Sequence, residues 1–193
     1  MHDWSTCDVP VAPPSGFGSS ANQTQRDALW WSLDTSRGFV ALDKNQLNLK
    51  SSEAFPWDET RSVYLVNAFH GLYCLRVIYI YLRQLQNQED LRYDFNHVLH
   101  CLDSLRADVL CAADDTPIAV GNQPNDDPQL QVQTRKCRDW GHLEEFVTMN
   151  SACFQGHEPD EPGYQTIEEW QHCPKDSPYW ATVQQYLSES GSS

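Results

Sequence analysis

The run from Arg61 to about Gln88 constrains the fold more than any other stretch of the chain. Val63, Leu65, Val66, Phe69, Leu72, Leu75, Val77, Ile78, Ile80 and Leu82, joined by Tyr64, Tyr73 and Tyr81, put apolar side chains on nearly every side of a helix. A helix without a polar face is buried all round, so this run predicts the central helix of the molecule, capped at Asp58 or Thr60 just after Pro56. A polar break from Gln84 to Asp90 follows. Beyond it, Leu91, Phe95, Val98, Leu102, Leu105 and Val109 recur at spacings of three and four, predicting an amphipathic helix from about Leu91 to Ala113. So short a connection makes the two helices antiparallel neighbours. With 193 residues the chain suits one domain. The expected class is mainly α: a compact helical domain around two antiparallel core helices, with short N-terminal strand or extended segments, long loops and disulfide staples.

The flanks are less regular. Residues 1–25 are rich in Pro, Gly and Ser without periodicity and read as a mobile tail, leaving 26–193 as the single domain. Leu29 to Leu33 and Gly38 to Leu42 are short, apolar and turn-punctuated, which predicts one or two strands or extended segments anchored by Trp30 and Trp31. A long loop is expected from Asp114 to Lys136, either a lid or a solvated excursion. A third helix is expected from Trp140 to Asn150 and a fourth from Pro178 to Leu187, with loop from Cys153 to Ser177. Trp57, Trp170, Tyr179 and Trp180 are read first as packing residues, with a substrate cleft as the alternative.

Charge and cysteine content narrow the setting. Thirteen basic against 27 acidic residues leave a net charge of -14, which repels phosphate backbones and anionic membranes, so nucleic acid is excluded as a partner. Seven cysteines without a CxxC pair favour disulfides over a zinc cage. Cys74 and Cys101 could bridge each other, or each could pair with Cys111 or Cys137, and Cys7 in the tail is the expected odd thiol. Asn22-Gln23-Thr24 is a glycosylation sequon compatible with a secretory lumen. No run reaches the ~18 apolar residues a membrane span needs, so membrane association would require an anchor that this chain does not carry. No Ser/His/Asp elbow, phosphate-cradling glycine loop or HExxH motif is present.

Chemistry concentrates on histidine. His70-Gly71-Leu72-Tyr73-Cys74-Leu75 is echoed by His97-Val98-Leu99-His100-Cys101-Leu102. His97 and His100 are three apart, about 60° around a helix, and so share a face. That face points away from the apolar stripe of its helix. His70 lies within the apolar run, where an imidazole requires hydrogen-bond partners or a metal. The residues leave two readings open, a solvated pair plus a satisfied core histidine, or a metal site of His70, His97 and His100. Imidazole ligands suit copper, zinc, iron or nickel. His142 is a spare ligand or base. Asp114 and Asp115 close the second helix, where acids disfavour the dipole, and so shape the turn or bind substrate.

Five motifs in order resemble the UstYa-like proteins of fungal mycotoxin and secondary-metabolite biosynthesis. They are Trp31 to Val40, Phe69-His70-Gly71-Leu72-Tyr73-Cys74, His97-Val98-Leu99-His100-Cys101 with Leu102-Asp103-Ser104-Leu105-Arg106, Cys111-Ala112-Ala113-Asp114-Asp115-Thr116-Pro117, and Lys136-Cys137-Arg138-Asp139-Trp140. The resemblance implies a tailoring enzyme of a secretory lumen (ER or Golgi), or a secreted one, acting on a peptide or small-molecule natural product by oxidative cyclisation, hydroxylation or halogenation. Copper, one or two ions, is the implied cofactor, held by the histidine motifs. The family carries two His-x-x-His-Cys motifs, and here Tyr73 stands where the first motif has its second histidine. A phenol ligates only after losing a proton with pKa near ~10. Tyr73 therefore ligates, relays protons or electrons, or marks a site turned to metal-independent cyclase or isomerase chemistry with His70, His97, His100 and Asp114. A non-catalytic companion of a full-motif homologue, as a homo- or hetero-oligomer, is the remaining reading.

Overall fold

The computed structural model describes residues 5–11, 15–43, 50, 52–118, 134–156 and 167–190. Five helices and four short strands make up the described part: β1 (Thr6–Pro10), α1 (Gln23–Trp31), β2 (Phe39–Asp43), β3 (Arg61–Leu65), α2 (Asn67–Asn87), α3 (Phe95–Ala112), β4 (Thr134–Arg138), α4 (Trp140–Met149) and α5 (Trp180–Ser190). Mainly α is the class observed. α2 and α3 are antiparallel neighbours, as expected.

Local chemistry explains where elements begin. Arg61 to Leu65 is strand rather than helix: Val63 and Tyr64 favour the pleat, and the segment pairs antiparallel with β2, Ala41 opposite Val63. α2 therefore starts at Asn67, behind Val66. The Asp58 side chain instead accepts from the Thr60 N–H and hydroxyl in the turn before β3. α3 starts three to four residues later than periodicity suggests, because Asp94 accepts hydrogen bonds from the Asn96 and His97 N–H groups and fixes the N-terminus there. Asp139 caps α4 through the Gly141 N–H. Leu29 to Trp31 belong to a helix, not a strand, with Asn22 of the sequon capping it through Thr24.

Two flanking segments carry more structure than expected. Thr6–Pro10, inside the expected tail, pairs antiparallel with β4. Cys153 to Ser177, expected as loop, contains a 3-10 helix, Ile167–Trp170, and the disulfide Cys153–Cys173. Most of the expected loop from Asp114 to Lys136 lies outside the described residues.

Among the described residues, three buried clusters hold the fold. Ala41, Phe55, Val63, Ala152, the Cys153–Cys173 bridge, Trp170 and Val183 join the β2–β3 hairpin to the C-terminal segment. Trp57 donates its indole N–H to the Trp170 carbonyl, and Tyr179 packs edge-on against Phe55, so these aromatics are packing residues. Val40, Phe69 and Val147 join the hairpin to α2 and α4. Gly38 is obligatory there, since a Cβ would overlap the Phe69 side chain. Cys74, Val77, Ile80, Tyr93, Val98 and Cys101 fill the α2–α3 interface. α1 docks on α2 through Trp30 stacked on Tyr79 at 5.0 Å and Arg83 paired with Asp27 at 3.0 Å.

Candidate active site on the paired helices

The rotation of α3 decides the site. Its expected stripe is only partly buried: Val98 is buried, whereas Phe95 is 58%, Leu102 48% and Val109 71% exposed. α3 meets α2 with Val98, Cys101 and Leu105, centred about an eighth of a turn away from the centre of the predicted stripe, so its polar edge swings toward α2. α2 is likewise not covered all round, with Leu75, Leu82 and Leu85 facing outward.

That rotation assembles a polar ladder along one edge of the helix pair. The Asn67 amide donates to Asp108 at 2.6 Å, His70 Nδ1 meets Ser104 Oγ at 3.3 Å, and the Tyr73 hydroxyl meets His97 Nε2 at 3.2 Å. Positions 67, 70 and 73 share one stripe of α2, and 97, 100, 104 and 108 share one of α3. His70 and His100 face each other with ring centroids 5.8 Å apart, and Tyr93 closes on His97 at 5.3 Å. His70 Nε2 also lies 3.8 Å from the buried Cys74 thiol. The structure thus brings His70, Tyr73, His97 and His100 into one row. His97 is reached through Tyr73, while His70 and His100 form the adjacent imidazole pair.

Electrostatics favour the neutral imidazole at His70. Burial, then the charge of His100, then His97 lower the pKa of His70 against the opposing pull of Asp108. Burial raises the Cys74 thiol and pushes Cys101 up to about 12, so both thiols are protonated at neutral pH.

Asp114 and His142 stand apart from the row. Asp114 follows α3, accepts from Thr116 N–H, and pairs with Arg135 at 3.1 Å; hydrogen bonds from Thr116, more than the arginine, hold its carboxyl below the usual range. It lies on the wall of a cavity of about 1260 Å³ between the end of α3 and β4, which Asn67, Asp108, Arg135 and Trp140 also line. Asn67 and Asp108 belong to both cavity and ladder. His142 is exposed and bonds Ser5 Oγ at 2.6 Å. Sequence reasoning missed Asn67, Ser104 and Asp108, whose only signal was helical spacing: Asn67 three before His70, Ser104 four after His100 and Asp108 four after Ser104.

Clustered imidazoles fit a transition metal in donor chemistry, since an unprotonated ring nitrogen is the ligating form. Their arrangement is a row and not a single point: among the described residues no three His, Cys, Asp or Glu side chains converge as a ligand set. The fit is that of an imidazole pair, His70 and His100, with His97 the next rung along.

The class these features define is a mainly helical domain with an imidazole–phenol row along its paired helices, beside a cavity at the end of α3. Comparison with known proteins narrows the class. Residues 13–150 match the family described as mycotoxin biosynthesis protein UstYa, and the chain belongs to that family. Relatives include Chlorinase cctP2 of Talaromyces islandicus, 31% identical over 163 residues, covering 80% of this chain and 52% of the relative. Hydroxylase cctR of the same organism is 35% identical over 153 residues, covering 70% and 53%. UstYa family oxidase phomYc of Diaporthe leptostromiformis is 25% identical over 106 residues, covering 45% and 38%. The chain spans about half the length of the first two. No solved structure matches. No helix among the described residues is long and apolar enough to cross a membrane.

Proposed function

We propose that the protein is an oxidative tailoring enzyme of fungal secondary metabolism, acting in a secretory lumen on a small-molecule or peptide intermediate with copper held by the His70–His100 imidazole pair, His97 standing one rung along. The carrying observation is the His70–His100 pair, two imidazoles facing each other across antiparallel helices. Relatives bearing the names chlorinase, hydroxylase and oxidase support the oxidative reading. Copper would supply one-electron redox chemistry and oxygen handling. The protein's own groups do the rest. Ser104 orients His70 through Nδ1, the Cys74 thiol faces its Nε2 at 3.8 Å, and Tyr73 fixes the ring of His97. The cavity that shares Asn67 and Asp108 with the ladder is the place for substrate, with Asp114 and Arg135 on its wall.

Metal content and electron spin resonance on wild type and on the His97→Ala/His100→Ala double variant test this reading. Wild type is expected to retain about one copper per chain with a nitrogen-coordinated spectrum, and the variant to lose it. Full activity under chelator would overturn it. One observation favours a second reading, a metal-independent cyclase or isomerase: the Tyr73–His97 hydrogen bond is a ready proton relay. That reading predicts turnover without oxygen.

A further inference from the structure

The expected odd thiol, Cys7, has a partner position. β1 and β4 pair antiparallel with Cys7 directly opposite Cys137, so their side chains leave the ribbon on the same face. The register also fixes their separation. The Asp139 N–H donates to the Ser5 carbonyl one step beyond the ladder, which makes that pair hydrogen-bonded, and alternation makes Cys7/Cys137 a hydrogen-bonded pair too. Such pairs hold their Cα atoms about 5.5 Å apart, inside the range that disulfides span. Their Cβ atoms lie at the wide end of cross-strand spacing, so the two thiols, free in this structure, bond once the strands draw slightly together. Both residues are half-buried, while Thr6, Asp8 and Pro10 between and around them are exposed. The two thiols thus face the body of the protein yet remain within reach of solvent oxidant.

The other thiols are differently placed. Cys74 and Cys101 are fully buried between α2 and α3, and small-molecule oxidants have no access to them in the folded chain. Cys111 is exposed on α3 and faces the same cavity as Cys137, but it has no register partner.

The geometry points to a disulfide between Cys7 and Cys137 that clips the N-terminal strand to the wall of the cavity beside the histidine ladder. Thiol–disulfide exchange with a small disulfide such as oxidised glutathione forms it. One cysteine thiolate displaces glutathione thiolate to give the mixed disulfide, and the second cysteine displaces the other glutathione. Two cysteine thiols lose two protons and two electrons, and one glutathione disulfide becomes two glutathiones. The clip closes a loop of about 130 residues. It fixes β4, which carries Arg135, the partner of Asp114, and Lys136, the partner of Asp8.

The test is a peptide map of the full chain, equilibrated with oxidised and reduced glutathione, alkylated, and digested without reduction. The expected product is a crosslinked peptide containing Cys7 and Cys137, with Cys111 alkylated. Alkylation of both Cys7 and Cys137 in a sample whose Cys153–Cys173 bridge is intact would overturn the proposal, and so would a Cys111–Cys137 crosslink. Amide exchange supplies a readout that does not depend on variants folding well. Mild reduction is expected to speed exchange in residues 6–10 of wild type at least several-fold and to leave Cys7→Ser at its already raised rate. Equal exchange before and after reduction in wild type counts against the clip.

Discussion

At the residue scale, Tyr73 separates the readings of the site. Its hydroxyl holds His97 Nε2, so Tyr73→Phe removes one hydrogen bond and is expected to cost about 1 kcal/mol in a urea titration. If the row gathers copper, Tyr73→His adds an imidazole on the same rung and should raise copper retention above wild type, read by metal analysis after dialysis. Unchanged retention would place position 73 outside the ligand set. His70 gives a pH prediction. Its pKa in the folded chain is lowered, with His100, His97, Asp108 and Cys74 facing it, so below the unfolded value of about 6.5 the unfolded chain binds the proton more readily. Stability from this group is complete above that pH and is lost as pH falls toward the folded value. In metal-free protein, the urea midpoint should fall less between pH 7.5 and 5.5 for His70→Gln than for wild type. The histidines themselves were legible from spacing, since residues three apart share a helix face. Ser104 and Asp108 were not, because a serine and an aspartate at helical spacing look the same whether they face water or a neighbouring imidazole.

At the scale of elements, the antiparallel pair was legible and its rotation was not. Hydrophobic periodicity locates the centre of an apolar stripe, and on α3 that stripe is wide: Phe95, Leu99, Leu102, Val109 and Leu110 lie on one side, all exposed, with Val98 and Leu105 at its border. Packing followed the border because Cys101 and Cys74, small and fully buried, let the backbones close there. Leu102→Gln should therefore change stability by no more than about 0.5 kcal/mol, whereas Val98→Ala should cost about 1–3 kcal/mol. Parallel chemical denaturation of the two variants decides it, and a large loss at Leu102 would restore the rotation that periodicity predicts. The boundary at Leu65 was illegible for a related reason. Val63, Tyr64, Leu65 and Val66 form a short apolar run that suits a strand as well as a helix, and pairing with β2 settles it.

At the scale of the whole molecule, the chain is held by contacts distant in sequence. The β2–β3 hairpin packs on Ala152, Cys153, Trp170, Cys173 and Val183, and the segment after α4 hydrogen-bonds β2, Ala41 N–H to the Asn150 carbonyl at 2.8 Å and Ala152 N–H to the Phe39 carbonyl at 3.0 Å. The Cys153–Cys173 bridge sits inside this cluster and spans 20 residues. Disulfide staples were anticipated from composition, but composition carries no connectivity. The α2–α3 interface and the disulfide region have separate buried clusters, linked through Val40, Phe69 and Val147. A staple in one cluster should then act locally. The Cys153→Ser/Cys173→Ser double variant is expected to lose about 2–4 kcal/mol, with amide exchange rising in the β2–β3 hairpin and in residues 167–190. Protection along α2 and α3 should persist at lower denaturant than is needed to unfold them, because Val77, Ile80, Val98 and the polar ladder remain in place. If exchange instead rises together in both regions, the molecule is a single cooperative unit, and the histidine row depends on the C-terminal staple as much as on its own helices.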